Sequence, residues 1–197
     1  MGNKVTEAGT HSAGLLARVA EGDEEALGLL YREHAGSMLR LIGRLTTNRA
    51  EAEEILQEAW LAVWQSAAAF RGDSAPRAWL LGVARRQAHN RLRRAALSTA
   101  ELDAAAQVPQ AGPDVEDRVL AGMEFEQVLA RVRDLPRHLR EVLDLVLVEQ
   151  LSYREIAGVL DVPVGTVKSR MSHIKRELAQ GTHWESTHRP PQEGSRR

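Results

Sequence analysis

The stretch LSYREIAGVLDVPVGTVKSRMSHIKREL, Leu151 to Leu178, decides the fold. Its apolar spacing predicts a helix over Tyr153 to Leu160 that buries Ile156, Ala157 and Leu160, with Ala157 small enough for two helices to cross closely. Ser152 precedes that helix and Glu155 follows three residues on, the spacing of a capping box, in which each residue satisfies a free N–H group of the other. Asp161 tolerates left-handed backbone and begins a tight turn. Pro163 then opens a second helix, in which Val167, Met171, Ile174 and Leu178 face inward at spacings of four, three and four. Thr166, Lys168, Ser169, Arg170, Ser172, His173 and Lys175 face outward, a set of donors suited to base edges and phosphates. The pattern is a helix-turn-helix with a reading helix. An ordinary helical hairpin with a solvated charged face explains the periodicity but not the agreement of cap, turn and donor face.

Working outward, Pro136 is expected at the first position of a helix that carries Leu139, Val142, Leu143, Val146 and Leu147. Residues 116 to 180 therefore read as one small helical domain. Before it, AALSTAELDAAAQVPQAGPDV, Ala95 to Val115, has few large apolar residues, two prolines and a glycine, and is expected to be a flexible linker. About 21 residues reach at most roughly 70 Å, and two turns of B-DNA span about the same distance. One chain could thus set a domain on each of two sites along a duplex. Residues 181 to 197 are polar and proline-bearing and are expected to be a disordered tail.

Residues 12 to 94 carry helical periodicity almost throughout and predict a first all-α domain. Its third long helix, from about Ala50 to Ala68, puts Ile55, Leu56, Ala59, Trp60, Val63, Trp64 and Ala67 on one face. Trp60 and Trp64 could stack on an unpaired base, but their place on the apolar stripe assigns them to the core. FRGDSAP, Phe70 to Pro76, collects turn residues and reads as a loop. A helix from Arg77 to Arg94 follows, with Trp79, Leu80, Val83 and Leu92 inward and most of its arginines outward. The fold class expected is all-α, two small helical domains joined by a flexible linker.

The formal net charge of -1 gives no long-range attraction to phosphate, but its distribution is uneven. Arg85 to Arg94, RRQAHNRLRR, holds five arginines and no acid, and Lys168 to Arg176, KSRMSHIKR, holds four basic residues and no acid. Glu51 to Glu58, EAEEILQE, holds four carboxylates and no base. Blocks of opposite sign suggest separate partners. Arg85, Arg86, Gln87, Asn90 and Arg93 offer donors for bases or phosphates.

The chain has no cysteine, which excludes disulfides and thiolate metal sites, and His11, His34, His89, His138, His173, His183 and His188 show no ligand spacing. No cofactor or metal is expected. No apolar run approaches the roughly 20 residues of a membrane span, and MGNKVTEAGT lacks the apolar core of a signal peptide, so the protein is expected to be cytoplasmic, with no membrane insertion.

Tyr153 to Ala157 (Y-x-E-I-A) and Pro163 to Arg170 (P-x-G-T-V-K-S-R) resemble the fourth conserved region of extracytoplasmic-function (ECF) sigma factors. Tyr31 to Trp64 is similar to the polymerase-docking part of that family's second region, and Phe70 to Arg94 to its promoter-reading part. The resemblance implies a subunit that binds core RNA polymerase and directs it to promoter DNA, held inactive by an anti-sigma factor. By the same resemblance, Glu54, Gln57, Glu58 and Leu61 stand where the family docks on polymerase. Arg85, Arg86, Gln87, Asn90 and Arg93 would read the −10 element, and Thr166, Lys168, Ser169, Arg170, His173 and Lys175 the −35 element. The chain departs from the family where Pro76 replaces a frequent aromatic, where Arg86 replaces an asparagine, and near Asn90, where an aspartate is usual. The family's −10 base preference is therefore not carried over. A helix-turn-helix regulator working without polymerase would account for the second domain but leave the first without a role. An enzyme is disfavoured because no nucleophile elbow, P-loop or metal motif appears.

Overall fold

The computed structural model describes residues 2–46, 48–100 and 122–179. Asp23 accepts a hydrogen bond from the Ala26 N–H at 3.0 Å and so starts α2, Glu24–Gly43, after Gly22 takes the positive φ of 90° that turns the chain out of α1, Gly2–Ala20. Asn48 caps α3, Arg49–Ser66, by accepting from Ala50 and Glu51 at 3.0 and 3.3 Å. A short 3-10 turn, Ala67–Ala69, follows. The loop after it is pinned by Phe70, whose ring meets Trp79 edge-on at 5.6 Å, and α4 runs from Pro76 to Ala100. Leu15, Leu16, Leu30, Met38, Ile42, Ile55, Val63, Leu80 and Leu81 from these four helices form their buried core. Trp60 lies within it against Tyr31, ring centroids 5.3 Å apart, while Trp64 is partly buried against it.

The second group comprises α5, Gly122–Asp134, α6, Arg137–Leu147, α7, Tyr153–Leu160, and α8, Val164–Ala179. Leu139, Val142, Leu145, Ile156, Leu160, Val167 and Ile174 close their core. Each such side chain, fully removed from water, contributes about 1.5–3 kcal/mol against the cost of ordering it.

The expected all-α architecture with a helix-turn-helix in its second group is what the chain adopts. Two local expectations need adjusting. Helix α4 continues to Ala100, into the segment read as linker, because Ala95 to Ala100 contains only helix-compatible residues and the prolines come later. The rest of that segment, and the tail 181–197, lie outside the described residues. Pro136 is the residue before α6 rather than its first, at φ −51° and ψ 142°, with its carbonyl accepting from Leu139 and Arg140. The two groups are also in contact, because α7 packs along α4.

Ser12 at the end of one turn of α1 reaches both Glu33 and His34 of α2, at 3.3 and 3.1 Å. Burial holds the His34 imidazole below its ordinary pKa of 6.5, Glu33 opposing this and Arg77 adding to it. The fold thus prefers neutral His34. Its contribution to stability is full above the unfolded value near 6.5 and is lost as pH falls from there through the folded value. Denaturant midpoints should drop between pH 7.5 and 5.5 in the natural chain and drop less in His34→Gln.

Candidate nucleic-acid interface

The helix-turn-helix is built as its sequence demands. Ser152 Oγ accepts from the Glu155 N–H at 3.3 Å while Glu155 Oε2 accepts from the Ser152 N–H at 2.7 Å, which closes the capping box. Asp161 ends α7 in the left-handed region, φ 54° and ψ 52°, and lets the Val162 N–H return to the Ala157 carbonyl at 3.0 Å. Val167, Met171 and Ile174 then fix the rotation of α8 by facing the core, with Leu178 half-buried beside them. That rotation leaves Lys168, Ser169, Ser172 and Lys175 exposed and Thr166, Arg170 and His173 partly so. Ser169 and Ser172 donate back to the carbonyls of Thr166 and Lys168, at 2.9 and 3.0 Å, and His173 meets Glu177 at 3.1 Å. Both serine hydroxyls are thus held to the helix backbone, on the same exposed face as Lys168 and Lys175. His138 at the start of α6 shares an open groove with Arg170, His173 and Arg176.

On α4 the arginines divide. Arg86, Arg93 and Arg94 are exposed as expected, and Arg93 reaches Asn90 Oδ1 at 3.4 Å, while Gln87 is half-buried. Arg85, expected outward, turns into the contact with the second group. Its Nε donates to Glu141 of α6 at 2.6 Å and its Nη1 to the Leu160 carbonyl at 3.3 Å, because α7 covers that side of α4. Arg91 turns the other way, donating to Glu58 at 2.6 Å and to Glu54. Two of the four carboxylates in the acidic block of α3 are therefore paired to α4, while Gln57 and Leu61 on the same helix stay exposed, Leu61 at 58%.

Sequence reasoning missed the acids and arginines that join the two groups. Glu149, between α6 and α7, is only 2% exposed and lies between Arg77 of α4, with which it is hydrogen-bonded, and Arg40 of α2 at 3.4 Å. Asp144 pairs with Arg44 at 3.0 Å, and burial pushes its carboxyl up from the usual value while Arg44 opposes the shift. Arg137 donates to the Leu45 carbonyl at 2.9 Å. A close carboxylate–arginine pair 72 residues apart in sequence leaves no local signal.

Family models match both groups in order, Sigma-70 region 2 over residues 30–97 and Sigma-70 region 4 over residues 125–178. The chain is 34% identical over 173 residues to the RNA polymerase sigma-H factor of Pseudomonas aeruginosa, covering 83% of this chain and 90% of the relative. It is 32% identical, with the same coverage, to the ECF RNA polymerase sigma-E factor of Escherichia coli K12. This chain belongs to the ECF sigma factors.

As a sigma factor it directs promoter recognition by RNA polymerase. The fold agrees with solved structures. CnrH in complex with the cytosolic domain of CnrY matches with a TM-score of 0.59 at 22% identity, over 87% of this chain and 97% of that one. The sigma factor RpoE of Bartonella quintana, solved with the anti-sigma factor NepR, matches with a TM-score of 0.60 at 20% identity, over 84% and 98%. In this sigma factor α1–α4 contain the region 2 match and α5–α8 the region 4 match. No described helix is long and apolar enough to cross a membrane.

Proposed function

We propose that residues 12–94 dock on core polymerase and read the −10 element, that residues 116–180 read the −35 element, and that the part of 95–115 beyond the end of α4 at Ala100 tethers the two, with 181–197 as a tail. The observation that carries this reading is the pair of basic helices, α4 in the region 2 match and α8 in the region 4 match, each presenting arginine or lysine on an exposed face. On α8, Thr166, Lys168, Ser169, Arg170, His173 and Lys175 meet DNA. On α4, Arg86, Gln87, Asn90 and Arg93 do so, joined by Arg85 once α7 has moved away. Exposed Gln57 and Leu61, with Glu54 and Glu58, form the polymerase contact on α3. The protein acts by binding, without covalent chemistry or cofactor, and works in the cytoplasm. An anti-sigma factor is its natural inhibitor, as the solved neighbour with NepR is a sigma–anti-sigma pair.

In vitro transcription with core polymerase on a promoter library tests function and base preference together. Arg170→Ala and Lys168→Ala should alter preference at the upstream element, Arg85→Ala and Asn90→Ala at the downstream one. A lost base contact costs about 1–3 kcal/mol, whereas a lost phosphate contact weakens all sequences alike. A preference profile unchanged in all four variants would contradict the assignment. Tight promoter-specific binding without polymerase would favour a plain helix-turn-helix regulator instead.

A further inference from the structure

The acidic face of α3 is not independent of α4. Glu54, Gln57, Glu58 and Leu61 follow one another at i, i+3, i+4 and i+7, so they share one side of α3. Glu54 and Glu58 are therefore like charges one turn apart, which repel each other and leave two long side chains with many rotamers. Arg91 answers both. On α4 the buried Ala84 and Ala88 lead along one helical face to Arg91, which emerges where α4 packs against α3. Its Nη1 donates to Glu58 Oε1 at 2.6 Å and its Nη2 to Glu54 Oε2, so one guanidinium fork spans both carboxylates. Each carboxylate gives one oxygen to Arg91 and keeps its other, and the Glu54 side chain is still 59% exposed. A lysine could not hold both in this way, since an ammonium has no planar fork. A guanidinium committed to two carboxylates is also not offered to DNA, unlike the exposed Arg86 and Arg93 of the same helix.

We propose that Arg91 is a positioning residue for the polymerase contact, which holds Glu54 and Glu58 in fixed rotamers and ties their face of α3 to the helix that reads DNA. The proposal rests on the reading of α3 as the polymerase contact. The effect is pre-organisation. Carboxylates already ordered in the free chain lose less side-chain freedom when they dock, so more of each contact survives as affinity. Arg91 also cancels one of the two negative charges, which does nothing to speed encounter with a basic partner surface. The gain therefore lies in the lifetime of the complex and not in its rate of formation. Through the same fork, an α3 held on polymerase steadies the part of α4 that carries Asn90 and Arg93.

Association of the full-length chain with core polymerase tests this. Arg91→Ala should raise the Kd by about three- to tenfold, nearly all of it in the dissociation rate. Its thermal midpoint should stay close to that of the natural chain, since half-exposed ion pairs add little stability. Arg91→Lys should recover only part of the loss. The Glu54→Gln/Glu58→Gln variant should itself bind core weakly, and adding Arg91→Ala to it should cost nothing further, because the three residues act as one unit. Holoenzyme assembled from Arg91→Ala at saturating concentration should keep the natural promoter base preference. An unchanged Kd in Arg91→Ala, full recovery by lysine, an equal loss in the double glutamine background, or a loss confined to promoter binding would each overturn the proposal. Leu61→Ala leaves the fork intact and tests the docking reading separately. Core affinity unchanged in Leu61→Ala and in the double glutamine variant would refute the α3 contact and the proposal with it. Weak binding by both of these, beside an unchanged Arg91→Ala, would refute the role of Arg91 alone.

Discussion

Removing about ten residues from within 101–115 should abolish transcription from promoters that need both upstream and downstream elements. The physical limit is the length of the chain. A trans peptide advances at most 3.3–3.6 Å per residue, so the 21 residues between the end of α4 at Ala100 and the start of α5 at Gly122 span at most roughly 70 Å, and the 11 left after the deletion roughly 40 Å. Sites two helical turns apart on B-DNA are about 70 Å apart. The shortened chain should still fold, since the cores of α1–α4 and α5–α8 are built from residues outside 101–115. Its far-ultraviolet circular dichroism and thermal midpoint should match the natural chain. Full activity of the deletion on such promoters would mean that the two regions do not straddle distant sites, and the reading of the segment after Ala100 as a tether would be wrong.

Ile156→Ala should unfold the helix-turn-helix at physiological temperature. Ile156 is fully buried in α7, and the substitution leaves a cavity in the core whose cost is about 2–5 kcal/mol. A domain of this size is held by only about 5–15 kcal/mol in total, so the midpoint should fall by roughly 10 °C or more. The loss should be visible as reduced helicity and as loss of upstream-element protection in a footprint. Lys168→Ala offers the contrast, because its side chain is exposed. That variant should melt as the natural chain does and lose DNA contact alone. A midpoint unchanged in Ile156→Ala would show that α7 is not packed as described.

What was legible in the sequence is what short-range chemistry encodes. The Ser152 and Glu155 pair, the left-handed Asp161 and the spacing of Val167, Met171 and Ile174 act within one or two turns, so the helix-turn-helix could be placed residue by residue. The exposed donors of α8 followed, because fixing the buried face of a helix fixes its opposite face. The start of α3 and its apolar stripe were readable for the same reason. The limits of α4 and α6 were off by a few residues where alanines and a proline fit either side of the boundary.

The tertiary structure decided the partners of the arginines. In sequence, Arg85, Arg86 and Arg91 are equivalent members of one basic run, and nothing local separates them. In the fold they point about a helix in three directions: Arg85 to Glu141 of region 4, Arg86 to an open crevice, and Arg91 back to Glu54 and Glu58 of α3. Glu149 was read as nothing at all, yet it is the most deeply buried charge among the described residues and bridges both regions. Ion pairs across long sequence separations depend on where whole helices come to lie, and that is set by the packing of apolar faces far from the charges themselves. The sequence by itself therefore determined the helices, the reading motif and the family to which they point. Only the folded chain decided that region 4 rests on α4, because that contact is made by residues whose meaning depends on a neighbour more than fifty positions away.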